Sequence, residues 1–274
     1  SKLIDGNIYV VGGDVSYLED TEKKALDDLS NTAGASFGDF IKNTRSDFSW
    51  EQYTGKLQIY DIAKNTWKTS SKKFRKRAYH TINYYNNKLY VLGGKSLSVS
   101  KRREYLDDKI EIFDVKNNKI TIDHTNPHQA VNSQSFAYNN SIIVIGGAKK
   151  LKKNGEKVFT KTIHLYDLKT GFWYRLTDMP SAKEVKGVLV KNTIYFVGGF
   201  NNKPLSSIES YNLITGAWNH EGTLFAPIEK PALTYHDSSI YIFNDGHIST
   251  YNILTKTLNE YDIDLSIQSA ALHY

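Results

Sequence analysis

Cysteine is absent from all 274 residues. That excludes a disulfide, a thiolate zinc site and a cysteine nucleophile. No apolar run approaches the ~18 residues that a membrane-spanning helix needs. No leader with a charged start and an apolar centre is visible either. The first residues already lie in a β-type run, so an upstream segment is expected to precede them. No glycine-rich phosphate loop is present, because every Gly pair closes an apolar run. No Ser-His-Asp order stands out. A cysteine-free chain suits the periplasm, secretion or the cell surface, and those are the expected locations.

Aromatic and β-branched residues are plentiful. The chain holds 19 Tyr, 12 Phe and 4 Trp, and 40% of it is hydrophobic, which favours strands around a sizeable core. One pattern recurs: Asn7-Ile-Tyr-Val-Val-Gly-Gly13, Lys88-Leu-Tyr-Val-Leu-Gly-Gly94, Ser141-Ile-Ile-Val-Ile-Gly-Gly147 and Thr193-Ile-Tyr-Phe-Val-Gly-Gly199. Ser239-Ile-Tyr-Ile-Phe-Asn-Asp245 is a worn fifth copy. A second pattern follows each of these: Leu57–Asp61 then Trp67, Ile110–Asp114 then Ile120, Ile163–Asp167 then Trp173, Ile208–Asn212 then Trp218, and Ile248–Asn252 then Leu258. Before each Gly pair from the second copy on lies a further strand ending in a turn, as in Thr81–Asn87 and Ser135–Asn140. The alternation predicts four antiparallel strands per unit, called a to d here, and a period near 50 residues matches a propeller blade.

The Gly pair, the Tyr-Asp pair and the Trp six residues after the Asp resemble the repeat of the kelch family. The resemblance implies a single all-β propeller over residues 1–274. Five blades are counted, with six as the alternative. Ser269–Tyr274 aligns with the inner strand Lys230–Tyr235 and is expected to close the ring by completing blade 1. Ser1–Ile4 competes for the same slot.

The long connections all join strands b and c, at residues 14–56, 95–109 and 148–162. They share one face with the d–a connections, and scaffold loops carry function more often than sheets do. Residues 68–77, 95–109 and 148–162 hold 17 basic and 4 acidic side chains, while the whole chain is only +6. Such a face attracts anions, or it simply keeps the protein soluble. The 14–56 insertion is opposite in sign, and Glu19–Leu29 reads as a short helix that could lie over the basic loops. Its Phe40, Phe48, Trp50 and Tyr53 suit either stacking on a ligand or packing on the propeller rim.

Aligning the inner strands places Tyr79, Asn132, Glu184, Glu229 and Gln268 at one position near the channel mouth, with Arg77, Lys183 and Lys186 close by. The candidate ligand-binding set is therefore Arg75, Arg77, Lys183, Glu184, Glu229, Gln268, Trp50, Tyr53, Arg102 and Arg103. The expected ligand is a protein or a glycan, anionic in either case, bound without catalysis. Nucleic acid is disfavoured, because aromatics are not interleaved with the basic residues. The kelch resemblance also brings an enzymatic alternative, a sugar-handling enzyme of the sialic acid mutarotase kind. Glu184 or Glu229 with Arg77 would then serve as acid/base and carboxylate clamp. The copper-radical oxidases of the family build a Tyr–Cys crosslink, which this chain cannot form. No cofactor is expected. The histidines of His124-Thr-Asn-Pro-His128, with His220, Asp245 and His247, give only a weak metal signal, and no metal site is assigned.

Overall fold

The computed structural model describes residues 1–15, 53–97, 104–151 and 156–262. Among them lie five four-stranded antiparallel sheets arranged as a five-bladed propeller, with no helix. Blade 1 is β1 (Lys2–Ile4), β2 (Asn7–Val11), β3 (Lys56–Asp61) and β4 (Thr66–Lys73). Blade 2 starts with β5 (Thr81–Tyr85) and β6 (Lys88–Leu92). A raised hairpin of β7 (Lys95–Leu97) and β8 (Glu104–Leu106) follows, and β9 (Ile110–Asp114) and β10 (Lys119–Asp123) complete the blade. Blade 3 repeats the plan with β11 (Gln134–Tyr138), β12 (Ser141–Ile145), the hairpin β13 (Ala148–Leu151) and β14 (Lys157–Phe159), then β15 (Ile163–Asp167) and β16 (Trp173–Arg175). Blade 4 is β17 (Gly187–Val190), β18 (Thr193–Val197), β19 (Leu205–Asn212) and β20 (Trp218–Ile228). Blade 5 is β21 (Ala232–His236), β22 (Ser239–Asn244), β23 (His247–Asn252) and β24 (Leu258–Asp262).

The inner slot of blade 1 is filled by the start of the chain. Lys2, Leu3 and Ile4 pair with Tyr9, Ile8 and Asn7, while β3 takes the other edge of β2. The slot expected for Ser269–Tyr274 is therefore taken, and those residues lie outside the described ones. The proposed helix at Glu19–Leu29 lies outside them too.

Local chemistry explains the repeat. The Asp or Asn that ends each strand c accepts backbone N–H bonds from the turn after it: Asp61 from Lys64, Asp114 from Asn117, Asp167 from Lys169 and Thr170, Asn212 from Ile214 and Thr215, and Asn252 from Leu254 and Thr255. These are Asx-type turns, for which a short side-chain oxygen is required. The Trp of strand d then packs on the Tyr of strand c, as Trp67 on Tyr60, Trp173 on Tyr166 and Trp218 on Tyr211, with ring centroids 5.0, 4.8 and 4.9 Å apart.

The Gly pair clips one blade to the next. The N–H groups of Gly13, Gly94 and Gly147 donate to the carbonyls of Arg77, Ala130 and Lys183, which lead into the following blade, and that of Gly199 to the carbonyl of Ile228 at the end of β20, each at 2.9 Å. Blade 5 has no such pair. Its β22 and β23 are joined by Asp245-Gly246, both at positive φ, the two-residue turn that closes a tight hairpin. Apolar clusters fill the spaces between adjacent blades, for example Val11, Leu57, Leu89, Val91 and Phe113 between blades 1 and 2. Side chains from all five inner strands line a central cavity of about 490 Å³.

Candidate functional site

The face carrying the b–c and d–a connections, the upper face, is built up over blades 2 and 3. The hairpins β7–β8 and β13–β14 stand on it and wall a second cavity of about 540 Å³. These segments were expected as loops. Their strands are short and lysine-bearing, which hides the alternation.

The floor of this cavity is strained backbone. Tyr79 and Asn132 hold φ of 59° and 52°, and Asn132 N–H donates to the Tyr79 carbonyl at 3.1 Å. A left-handed aromatic residue costs about 1–2 kcal/mol, and such outliers cluster at ligand-binding and switch regions. Tyr79 is held by an edge-to-face contact with the buried Tyr53, at 6.4 Å between centroids. The Lys95 ammonium sits 5.0 Å from the Tyr79 ring centre and 5.9 Å from that of Tyr53. Glu104 on β8 joins the group, accepting from Lys95 at 2.9 Å and from the Tyr53 hydroxyl at 3.1 Å. Across the cavity, Lys157 on β14 pairs with Glu184 at 2.8 Å and lies 4.8 Å from the Phe200 ring centre. Lys150 is exposed on β13, and Lys230 closes the blade 5 side, 2.6 Å from Glu229.

The expected ring of equivalent positions is off by one residue. Ala78 and Val131 bridge Lys95 and Ala148, and the residue that bridges the equivalent Phe200 is Glu184. Glu184 thus takes the place of Ala78 and Val131, and blade 4 lacks the left-handed residue that Tyr79 and Asn132 supply. Two of the predicted ligand-binding cations are buried and committed. Arg77 donates to Glu111 at 2.7 Å and to the carbonyls of Gly93 and Lys109 at 3.1 and 3.0 Å, with Asp107 at 3.7 Å. Lys183 is buried in an ion pair with Glu209. A surface ligand cannot reach either, because their charges are spent inside blades 2 and 4. Arg75 is partly exposed and donates to Asp107 at 3.0 Å. Glu184 is buried, and one of its carboxylate oxygens, Oε2, has no partner among the described residues.

The acid/base trio is therefore dispersed. Arg77 belongs to Glu111, Glu184 to Lys157 and Glu229 to Lys230. Trp50, Gln268, Arg102 and Arg103 lie outside the described residues. The basic stretch 68–77 is partly not a loop: Lys68, Lys72 and Lys73 lie on β4, the outer strand of blade 1, where lysines guard a sheet edge.

Of His124, His128, His220 and His247, only His128 is buried. His128 Nδ1 lies 2.9 Å from His164 Nδ1, and its Nε2 contacts the Gly146 carbonyl at 2.8 Å. Burial lowers the His128 pKa to about 4. Among the described residues no three His, Asp or Glu side chains converge as metal ligands would.

Residues 51–246 match the family model described as the KLHDC2/KLHL20/DRC7 Kelch-repeats domain. Spermatocyte protein spe-26 of Caenorhabditis elegans is 27% identical over 197 residues, 70% of this chain and 33% of that protein. Kelch-like protein 40 of Xenopus tropicalis is 29% identical over 60% of this chain and 26% of its own length. Alpha-scruin of Limulus polyphemus is 32% identical over 42% of this chain and 13% of its own. The matched part is thus a third or less of each of these relatives. The solved structure titled "Structure of YjhT" superposes with a TM-score of 0.67 at 12% identity, covering 79% of this chain and 82% of that one. At that identity the likeness speaks for the fold alone.

Proposed function

Because this chain belongs to the kelch-repeat family, whose propellers generally mediate protein–protein interactions, we propose that it is a non-catalytic propeller that captures an acidic segment of a protein partner over blades 2 and 3. The observation that carries this reading is the pair of hairpins β7–β8 and β13–β14. They appear on these two blades among the described residues and enclose a cavity with an aromatic floor. Its polar rim is basic. Lys149 and Lys150 are exposed and have no ion-pair partner among the described residues, which leaves them free to meet carboxylates. Tyr79 and Tyr105, 40% and 43% exposed, offer the broad, rigid contact area that interfaces favour.

The test is charge reversal on one face. Lys149→Glu with Lys150→Glu should weaken a partner recovered by cross-linking capture at least tenfold, and the remaining affinity should lose much of its salt dependence. Lys116→Glu with Lys169→Glu, in turns on the opposite face, should leave affinity unchanged. Equal effects of the two pairs, or none from the first, would refute the reading. An acidic oligosaccharide that binds directly and displaces the protein would reassign the ligand class.

A further inference from the structure

The central cavity lies directly beneath the upper one. The chain steps from one into the other at three blades, through Tyr79 to His80, Asn132 to Ser133 and Lys230 to Pro231. Its wall carries several polar groups with no partner among the described residues. Lys2 and Lys186 both line it, and neither has an ion-pair partner among the described residues. The Nδ1 of His80 and the Oγ of Ser133 are buried in the same wall, also without partners among those residues. Buried polar atoms are nearly always satisfied, so a set of them around one cavity is suited to meet the polar atoms of a ligand.

We propose that this channel binds a phosphate group between Lys2 and Lys186. The charge calls for an anion. Lys2 and Lys186 bring two ammoniums to the wall of the same cavity. Burial pushes the pKa of each downward, and the neighbouring Lys230 adds to this for Lys186, against the pull of Glu184. A bound anion removes that cost.

The histidine selects among anions. His80 is held neutral, its pKa lowered to about 3 by burial and then by Arg77. Its ring hydrogen-bonds the Val11 carbonyl. Nδ1 has no partner among the described residues, and a proton on Nε2, toward that carbonyl, makes Nδ1 an acceptor. An acceptor suits the O–H of hydrogen phosphate and repels a bare carboxylate. Ser133 Oγ can donate to one of the remaining oxygens. His80 and Ser133 hold the same place on blades 2 and 3, each just before the first residue of its inner strand. Lys186 stands one step further on blade 4, its carbonyl accepting from Val197 at 3.0 Å.

This inference does not depend on the protein-binding reading, since its probe is inorganic phosphate and no partner is present. Phosphate should raise the melting temperature of the protein saturably, and ³¹P resonances should broaden on its addition. Acetate at the same concentration should do neither. Lys186→Met should weaken phosphate binding at least tenfold, Lys186→Arg should retain it, and Lys116→Met, in a turn on the opposite face, should behave as the parent. Lys2→Met gives a second test that does not rely on Lys186→Met folding, with the same loss expected. The proposal falls if the parent does not bind phosphate, if acetate binds as tightly, or if a foldable Lys186→Met or Lys2→Met binds as the parent does.

Discussion

Replacing Arg77 by Met should destabilise the propeller by about 3–5 kcal/mol, the range for removing one partner of a buried ion pair. Arg77 is completely buried, and its guanidinium serves Glu111, Asp107 and two backbone carbonyls at once. Met matches much of its length but none of its charge. Glu111 would keep the backbone N–H of Arg75, at 2.8 Å, and lose its cation. The pH dependence identifies the cause. Burial already raises the Glu111 pKa above its ordinary value, and Arg77 opposes that rise. Without Arg77 the pKa climbs further. A carboxyl raised in the folded state stabilises it below the unfolded pKa and loses that contribution as pH rises through the folded pKa. The gap between parent and variant in urea unfolding should therefore be widest at neutral pH and shrink toward pH 5. Adding Glu111→Gln to Arg77→Met should recover part of the loss, because the pair is then neutral on both sides. A cost below about 1 kcal/mol for Arg77→Met, with no pH dependence, would show that the guanidinium reaches water and is free for a ligand.

The misassignment of Arg77 shows which information the sequence carries locally. The Tyr-Asp pairs and the Trp after them are legible because each acts within a few residues, as an Asx cap or a ring stacked across one hairpin, and the Gly pairs because they recur at a fixed place in each repeat. Period and blade number follow from them. Arg77 and Lys183 read as surface cations because their partners lie 34 and 26 residues away. A signal did exist, between repeats rather than within one. The residue after the Ile that opens each Ile-to-Asp/Asn run of strand c is Glu111 in blade 2 and Glu209 in blade 4, the two blades with Arg77 or Lys183 at the clip carbonyl. Blade 3 has Ala130 there and His164 opposite, and blade 5 has Ile228 and Ser249. The charges appear together and vanish together, as a buried pair must.

The candidate site was less legible than the fold. The face and its lysines could be placed from connection lengths. Yet Lys95, Lys157 and Lys230 each meet a carboxylate once the chain is folded, and composition cannot say which cations stay free. The channel groups that lack a partner among the described residues, His80 Nδ1, Ser133 Oγ and the Lys2 ammonium, sit among ordinary strand residues with no motif to mark them. They stand out only through what does not surround them.

Gly147→Ala should cost roughly 2–5 kcal/mol, from backbone strain and overpacking acting together. Its φ is 98°, where a Cβ is strained. That Cβ would also lie 2.6 Å from the Val131 carbonyl oxygen and 2.9 Å from the Ser133 nitrogen, both backbone atoms that cannot rotate away. Gly147 is moreover the point where three pieces meet: its N–H reaches the Lys183 carbonyl of blade 4, and its carbonyl accepts from Thr160 at the foot of the β13–β14 hairpin. The control is Gly171→Ala. Gly171 has φ of 72° and no described heavy atom within 4 Å of an added Cβ, so it should pay only the left-handed strain of about 1–2 kcal/mol. The difference between the two variants in urea unfolding therefore measures the crowding of Gly147 against the Val131–Ser133 backbone that leads into its own blade. Equal costs would mean that the Gly pair serves only to turn the chain. A larger cost at Gly147 would mean that the doublet also makes room for the backbone that leads into its own blade. That reading also accounts for blade 5, which turns its chain with Asp245-Gly246 and carries no doublet.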